Sequence, residues 1–295
     1  MTESQKKALH IDFIACTQYR EYVIYQELAR IEKDPEFKSI LEDLVKQELK
    51  DYNFWVKLSI KKEFQVRTID IFVYKSMRRI LGLTFTVKFL ELVEEELIKR
   101  YNEIINLVDG SVQERIRETI EHEHYNEKRI VALIKEERVK FISSIILGLN
   151  DGLIELTGAL VGFSFAFSKH TLVALTGIIT GLAASLSMAS SAYMQAQYQD
   201  RKDAKKAALY TGMAYGVVVI LLVASFIFLK NIYVALILMF IIAFLIIGFV
   251  AYYTSVLFER NFRSQFAKMA FFSLGVAAIT FLIGSLFRSA FGINV

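Results

Sequence analysis

Proline occurs once in 295 residues, at Pro35, and cysteine once, at Cys16. A chain with one proline has lost its main interrupter of helices. Strand-type alternation bounded by glycine and asparagine turns is missing too, so long helices are the expected outcome and the fold class is all-α. A single cysteine excludes an internal disulfide and the usual zinc-ribbon spacings, and Cys16 reads as a small core residue. The stretch from Met1 to Asp12 is polar and has no apolar core of signal-peptide type, which leaves the first half in the cytosol. The formal net charge of +4 implies no nucleic-acid partner.

What is abundant is apolar sequence, and it is unevenly spread. Residues 1–140 hold 25 of the 35 basic and 26 of the 31 acidic residues, and residues 141–295 are largely apolar. Two domains follow, 1–140 and 141–295. The second offers five stretches of the ~20 apolar residues that cross a bilayer, at about 142–167, 172–196, 207–229, 232–257 and 268–288. Arg201, Lys202, Lys205 and Lys206 follow the second stretch, and Arg260, Arg263 and Lys268 follow the fourth. The opposite ends show only Lys169, Lys230 and Arg288 as fixed positive charge. Positive residues mark the inside, which places the first domain in the cytosol and the C-terminus outside a multi-pass cell-membrane protein.

In the first domain, helix 1 is expected over about 3–33. Asp34-Pro35-Glu36 supplies a cap, a first-turn proline and a first-turn acid for helix 2, running to about Lys62. Helix 3 is expected from about Thr84 to Asp109-Gly110. Ser111 and Glu114 form an S-x-x-E capping box that opens helix 4, through about Lys140. Residues 69–81, with large apolar side chains beside Lys75, Arg78 and Arg79, form a packing helix over the bundle or a membrane-surface helix. Four long helices with one longer crossover suit a ferritin-like four-helix bundle.

Dimetal sites in such bundles take one Glu from each of two helices and an E-x-x-H pair from each of the other two. Helix 4 carries Glu121-x-x-His124, and helix 2 carries Glu48-x-x-Asp51, with an acid in place of the imidazole. Helix 3 offers Glu94, seven residues before Tyr101, and helix 1 repeats that spacing as Gln18 and Tyr25. Positions i and i+3 share a helix face, so each pair reaches one cluster. With Gln18 and Asp51 substituted, divalent binding by oxygen ligands is favoured over redox-active di-iron chemistry. The plainer alternative is a solvated or salt-bridged acidic face.

The first membrane stretch holds two carboxylates, Asp151 and Glu155, one helical turn apart. An ionisable group at membrane depth costs at least ~2.5–3.5 kcal/mol, so the pair points to a cation path or a wet interior. Asp151, Glu155, Gly158 and Gly162 fall on one stripe. Gly158 with Gly162, and Gly177 with Gly181, make G-x-x-x-G pairs whose plain reading is close helix packing. The second stretch adds Ser185, Ser187, Met188 and Tyr193. The Met188 thioether is a soft ligand suited to transition metals and a candidate third ligand.

Leu147-Gly-Leu-Asn-Asp-Gly-Leu-Ile-Glu-Leu-Thr-Gly-Ala-Leu-Val-Gly, followed by Leu186-Ser-Met-Ala-Ser-Ser-Ala-Tyr193, resembles the first two spans of the vacuolar iron transporter family. The first domain resembles the rubrerythrin-like domain fused to that transporter in its prokaryotic, membrane-bound ferritin branch. The resemblance implies a five-span homodimer moving Fe²⁺, and often Mn²⁺, out of the cytosol against protons. Fe²⁺ or Mn²⁺ is the expected ion of the bundle, with Zn²⁺ as a substitute. It implies Asp151 and Met188 as ion-path ligands with Glu155 beside them; Thr180 stands where some members have a glutamate. In the bundle, Glu48, Glu94, Glu121 and His124 match the ligand pattern, and Gln18 and Asp51 depart from it. That departure favours metal capture or sensing over oxidation. The competing expectation is a membrane-anchored ferroxidase or peroxidase of rubrerythrin type, whose five spans and intramembrane acids would then have no task.

Overall fold

The computed structural model describes the backbone of residues 3–133, 141–200 and 202–291, and no strand occurs among them. Within those stretches the side chains of 3, 4, 6, 91, 93–95, 122–133 and 291 lie outside the description. The chain divides into two compact units, Met1–Glu136 and Glu137–Val295.

In the first unit α1 (Glu3–Ile31) lies along α2 (Pro35–Leu58). The turn between them is fixed by Asp34, whose Oδ1 accepts the backbone N–H groups of Glu36 at 2.9 Å and Phe37 at 3.3 Å. This satisfies two of the donors that a helix start leaves orphaned. The inward face of α1 carries Ile14, Ala15, Thr17 and Gln18, and the intervening Cys16 is exposed. The expected core position for that cysteine is therefore corrected by helix phase.

Helix α2 stops four residues short of the expected Lys62. The cause is remote in sequence. Asp12 Oδ1 accepts the Ser59 hydroxyl at 2.5 Å and the N–H groups of Ile60 and Lys61 at 2.8 and 3.3 Å. Those donations hold 59–61 out of the helix. Burial acts to raise the Asp12 pKa, but the Ser59 and backbone hydrogen bonds outweigh it and hold the carboxyl below its ordinary value.

The crossover contains α3 (Thr68–Ile80), which packs on α1 and on α4 (Leu83–Ile104). Tyr74 is its buried anchor, and Met77 packs beside the same core. Lys75 pairs with Glu27, and Arg78 pairs with the buried Glu32 at 2.7 Å. The opposite face leaves Ile69, Phe72, Val73 and Ile80 exposed. Gly82, at φ 96°, makes the sharp entry into α4 that a side chain would resist.

A 3₁₀ turn, Ile105–Leu107, leads to α5 (Gly110–Leu133). The capping box expected at Ser111 does not head this helix. Asp109 contributes its carbonyl to the N–H groups of Val112 and Gln113, so α5 starts two residues earlier, at Gly110, and Ser111 falls inside the first turn. The two apolar centres of the unit are Ile24, Leu28, Leu41 and Leu90, and then Ile14, Trp55, Leu97, Tyr101 and Ile116.

Among the described residues the second unit holds five helices long and apolar enough to cross a membrane: α6 (Ile142–Ala166), α7 (His170–Tyr198), α8 (Ala204–Phe228), α9 (Ile232–Phe258) and α10 (Phe262–Phe291). Helix α8 is the most enclosed and packs on α6, α7 and α9, and α10 packs on α6 and α9. Leu156, Leu160, Tyr215, Leu222, Phe226 and Met239 form the centre. Lipid tails are as apolar as these side chains, so close packing must carry the association. Glycine allows it: a Cβ on Gly284 would lie 2.5 Å from the Gly162 carbonyl oxygen, and one on Gly181 would lie 2.6 Å from Val219. Gly158 and Gly162 thus seat α10, and Gly177 and Gly181 seat Leu160, Val219 and Val223. Helices α7 and α10 are the least covered of the five.

Candidate functional site

Asp151 and Glu155 project from the same side of α6, four residues apart. Gly148 and Gly152 press against Thr211, Ala214 and Tyr215 of α8, which fixes the rotation of α6 at this level. Asp151 is half-buried and Glu155 is exposed on the surface of the single protomer. One hydrogen bond anchors the exposed acid: the hydroxyl of Tyr215, itself fully buried, donates to Glu155 Oε2 at 2.8 Å. A hydrogen bond to an ionised acceptor is about twice as strong as a neutral one.

Met188 comes from the neighbouring helix α7, half-buried against the apolar centre, with Ser187 exposed beside it. Ser185 ties α7 to α8 by donating to the Gly212 carbonyl at 2.8 Å. Thr180 Oγ1 donates to its own helix, at Thr176 O, 2.7 Å away. Tyr193 packs beside Phe141, Ala196 and Ala207. The charged groups at membrane level on α6 are the two carboxylates, with Tyr215 as the partner that sequence reading missed. Tyr215 lies 60 residues from Glu155, and its only advance signal was a phenol in a span, a group that needs a partner when buried.

In the first unit Gln18, Glu48 and Asp51 are all buried, at 0%, 1% and 2% exposure. Glu21 joins them at 0%. Its signal was present, since Gln18-x-x-Glu21 on α1 has the same i, i+3 spacing as Glu48-x-x-Asp51 on α2. Both amide atoms of Gln18 lack a hydrogen-bond partner among the described residues. Asp51 forms an ion pair with Arg115 of α5, whose guanidinium also reaches Glu118 at 3.1 Å and stacks over Phe54. Glu121 is exposed, and the side chains of Glu94 and His124 lie outside the described residues. Among the described residues no three His, Cys, Asp or Glu side chains gather closely enough to hold a metal ion. What the described helices do show is a polar interior of carboxylates and one amide, and burying such groups is costly unless each is paired or bound to a cation.

These features define a multi-pass membrane protein with an acid pair in its first span, one member of which is anchored by a buried tyrosine. The family model described as VIT family, a family of membrane metal-ion transporters, matches residues 142–202, the segment that contains Asp151, Glu155 and Met188. No curated protein and no solved structure matches the chain.

Proposed function

We propose that this protein exports a divalent transition metal, Fe²⁺ first and Mn²⁺ second, from the cytosol in exchange for protons. The observation that carries the reading is Glu155, an acid at membrane depth that is presented outward and held by a buried tyrosine. An outward-facing carboxylate in lipid has no stable environment by itself. A second copy of α6 and α7 packed against this face would enclose Asp151, Glu155 and Met188 from both subunits, which makes the working unit a homodimer.

Carboxylates bind either M²⁺ or H⁺, which gives an exchange step: protonation from outside releases the metal there, and deprotonation on the cytosolic side restores the site. Met188 favours a transition metal over Na⁺ or Mg²⁺. The first unit, read as a cytosolic ferritin-like bundle, takes up or senses the ion. Glu48 and Glu21 supply buried oxygen ligands there, joined by Glu94 and His124, Gln18 contributes its amide oxygen, and Glu121, exposed on α5, would have to turn inward to join them. Asp51, already neutralised by Arg115, is the least available of the set.

Purified protein in proteoliposomes with a metal-sensitive dye inside tests the reading. Entry of Mn²⁺ or Fe²⁺ should alkalinise the lumen in step with metal movement, because the exchanged protons leave. The Asp151→Asn and Glu155→Gln variants should each lower flux at least tenfold. Unchanged flux in Asp151→Asn removes that residue from the mechanism, and metal flux without proton movement removes the antiport.

A further inference from the structure

A cavity of about 320 Å³ opens at one end of the membrane unit, between the start of α6, the end of α9 and the start of α10. Helix alternation places these three ends, and the α7–α8 connection with Lys202, Lys205 and Lys206, at the same membrane face. The polar lining is Asn150, Thr254, Arg260, Gln265 and Lys268. The apolar walls include Ile146, Val250, Phe258 and Phe272, of which Phe258 and Phe272 are largely exposed on the outer surface of the unit.

Two fixed positive charges share this space. Neither the Arg260 nor the Lys268 side chain has an ion-pair partner among the described residues, and no acid lines the cavity. Glu259, the acid nearest in sequence to Arg260, sits at the left-handed turn that ends α9, outside the lining. The Asn150 side-chain oxygen is also buried without a hydrogen-bond partner among the described residues. Turned about its amide, Asn150 would offer a donor instead. A positively lined space repels M²⁺, so this is no entry route for the cargo.

We infer that the cavity holds the phosphate headgroup of an anionic phospholipid from the leaflet at this face. Arg260 makes the planar two-pronged contact that guanidinium gives to phosphate, and Lys268 adds a point charge. The volume sits at the small end of ligand pockets, enough for a headgroup and not for its tails. The exposed rings of Phe258 and Phe272 at the rim give the acyl chains an apolar surface to follow. Basic pockets between membrane helices on the positively flanked side are the expected home of anionic headgroups. A free phosphate would use the two cations and leave the apolar rim without a role.

Native mass spectrometry of the purified full-length protein in neutral detergent, with phosphatidylglycerol or phosphatidylcholine of identical chains added, tests this. Wild type should retain phosphatidylglycerol at least fivefold over phosphatidylcholine, with millimolar inorganic phosphate failing to displace it. An R260Q/K268Q double variant should lose the preference, and a K202Q/K205Q control at the same face should keep it. Ile146→Trp, which narrows the cavity and leaves both cations in place, should also lose retention, and it decides the matter alone if the double variant does not fold. Equal retention of the two lipids by wild type, displacement by phosphate, or full retention in Ile146→Trp each overturns the assignment.

Discussion

Arg115 is the residue whose removal most directly tests whether the interior of the first unit is built for a cation. It is the charge that neutralises Asp51, a carboxylate with 2% exposure, in an interior that also holds Glu21 and Glu48. Arg115→Met leaves an apolar chain of similar length beside Phe54 and removes the charge together with the donors to Asp51 and Glu118. Breaking one partner of a buried ion pair costs roughly 3–5 kcal/mol, and the lower end applies because Arg115 remains 15% exposed. For a unit of this size ~3 kcal/mol is about 12 °C in melting temperature.

The chain has one tryptophan, Trp55, fully buried with Tyr101 at 5.5 Å in the core of this unit. Its fluorescence therefore reports the melting of the first unit alone within the intact protein. In EDTA the variant should melt about 12 °C below wild type. Added Mn²⁺ should restore most of that loss, because a bound cation replaces the missing charge and binding to the folded state stabilises it. Mn²⁺ should raise wild type by much less. A variant that melts with wild type in EDTA refutes the dependence of Asp51 on Arg115. Equal Mn²⁺ stabilisation of the two proteins refutes the idea that Arg115 occupies a cation's place.

Tyr215→Phe deletes the one hydroxyl that anchors Glu155; at ~1.5 kcal/mol for a hydrogen bond to a charged group, the KM for Mn²⁺ flux should rise about tenfold with the fold intact, and an unchanged KM would detach Tyr215 from the site. Gly284→Ala forces a methyl group against the Gly162 carbonyl, whereas Gly275→Ala on the same helix meets nothing within 4 Å. Far-UV circular dichroism should show the first destabilised by roughly 1–3 kcal/mol and the second not destabilised at all. Asp12 and Glu32 both titrate below their ordinary values of 3.8 and 4.5 in the folded chain; burial opposes this in each, and hydrogen bonds, with Arg78 beside Glu32, overcome it. Their contribution is present above those ordinary values and is lost as pH falls through the lower folded ones. The Trp55 melting temperature should thus drop between about pH 5 and 3, and Asp12→Asn should flatten that drop.

Membrane helices were legible from the sequence because a run of apolar residues flanked by charge has one outcome in a bilayer; the first four helices begin and end within three residues of the expected places, and the last begins six residues early, at Phe262. The acid pair was legible for the same reason, since charge in such a run stands out. Its anchor was not: Tyr215 is joined to Glu155 only by the packing of α8 on α6, which no local pattern encodes. The early end of α2 shows the same limit, because no proline or glycine marks residues 59–61 and the break comes from Asp12, 47 residues earlier. In the first unit, spacing found Gln18, Glu48 and Asp51 as inward-facing positions and overlooked Glu21. It also could not reveal that a basic residue nearly two turns before the E-x-x-H pair, Arg115, would reach across to Asp51.

The acids that mark α6 also make it the least apolar of the five spans. During synthesis it is the first of them to reach the translocon, and on insertion scales each carboxylate near its middle opposes partitioning by ~2.5–3.5 kcal/mol. Its hold on the bilayer must therefore be completed by helices made after it, above all the strongly apolar α8 and α9, which pack against it. The nascent chain thus threads its acid-bearing segment first and secures it last, so shortening the protein from its C-terminal end would release that segment from the membrane before any other.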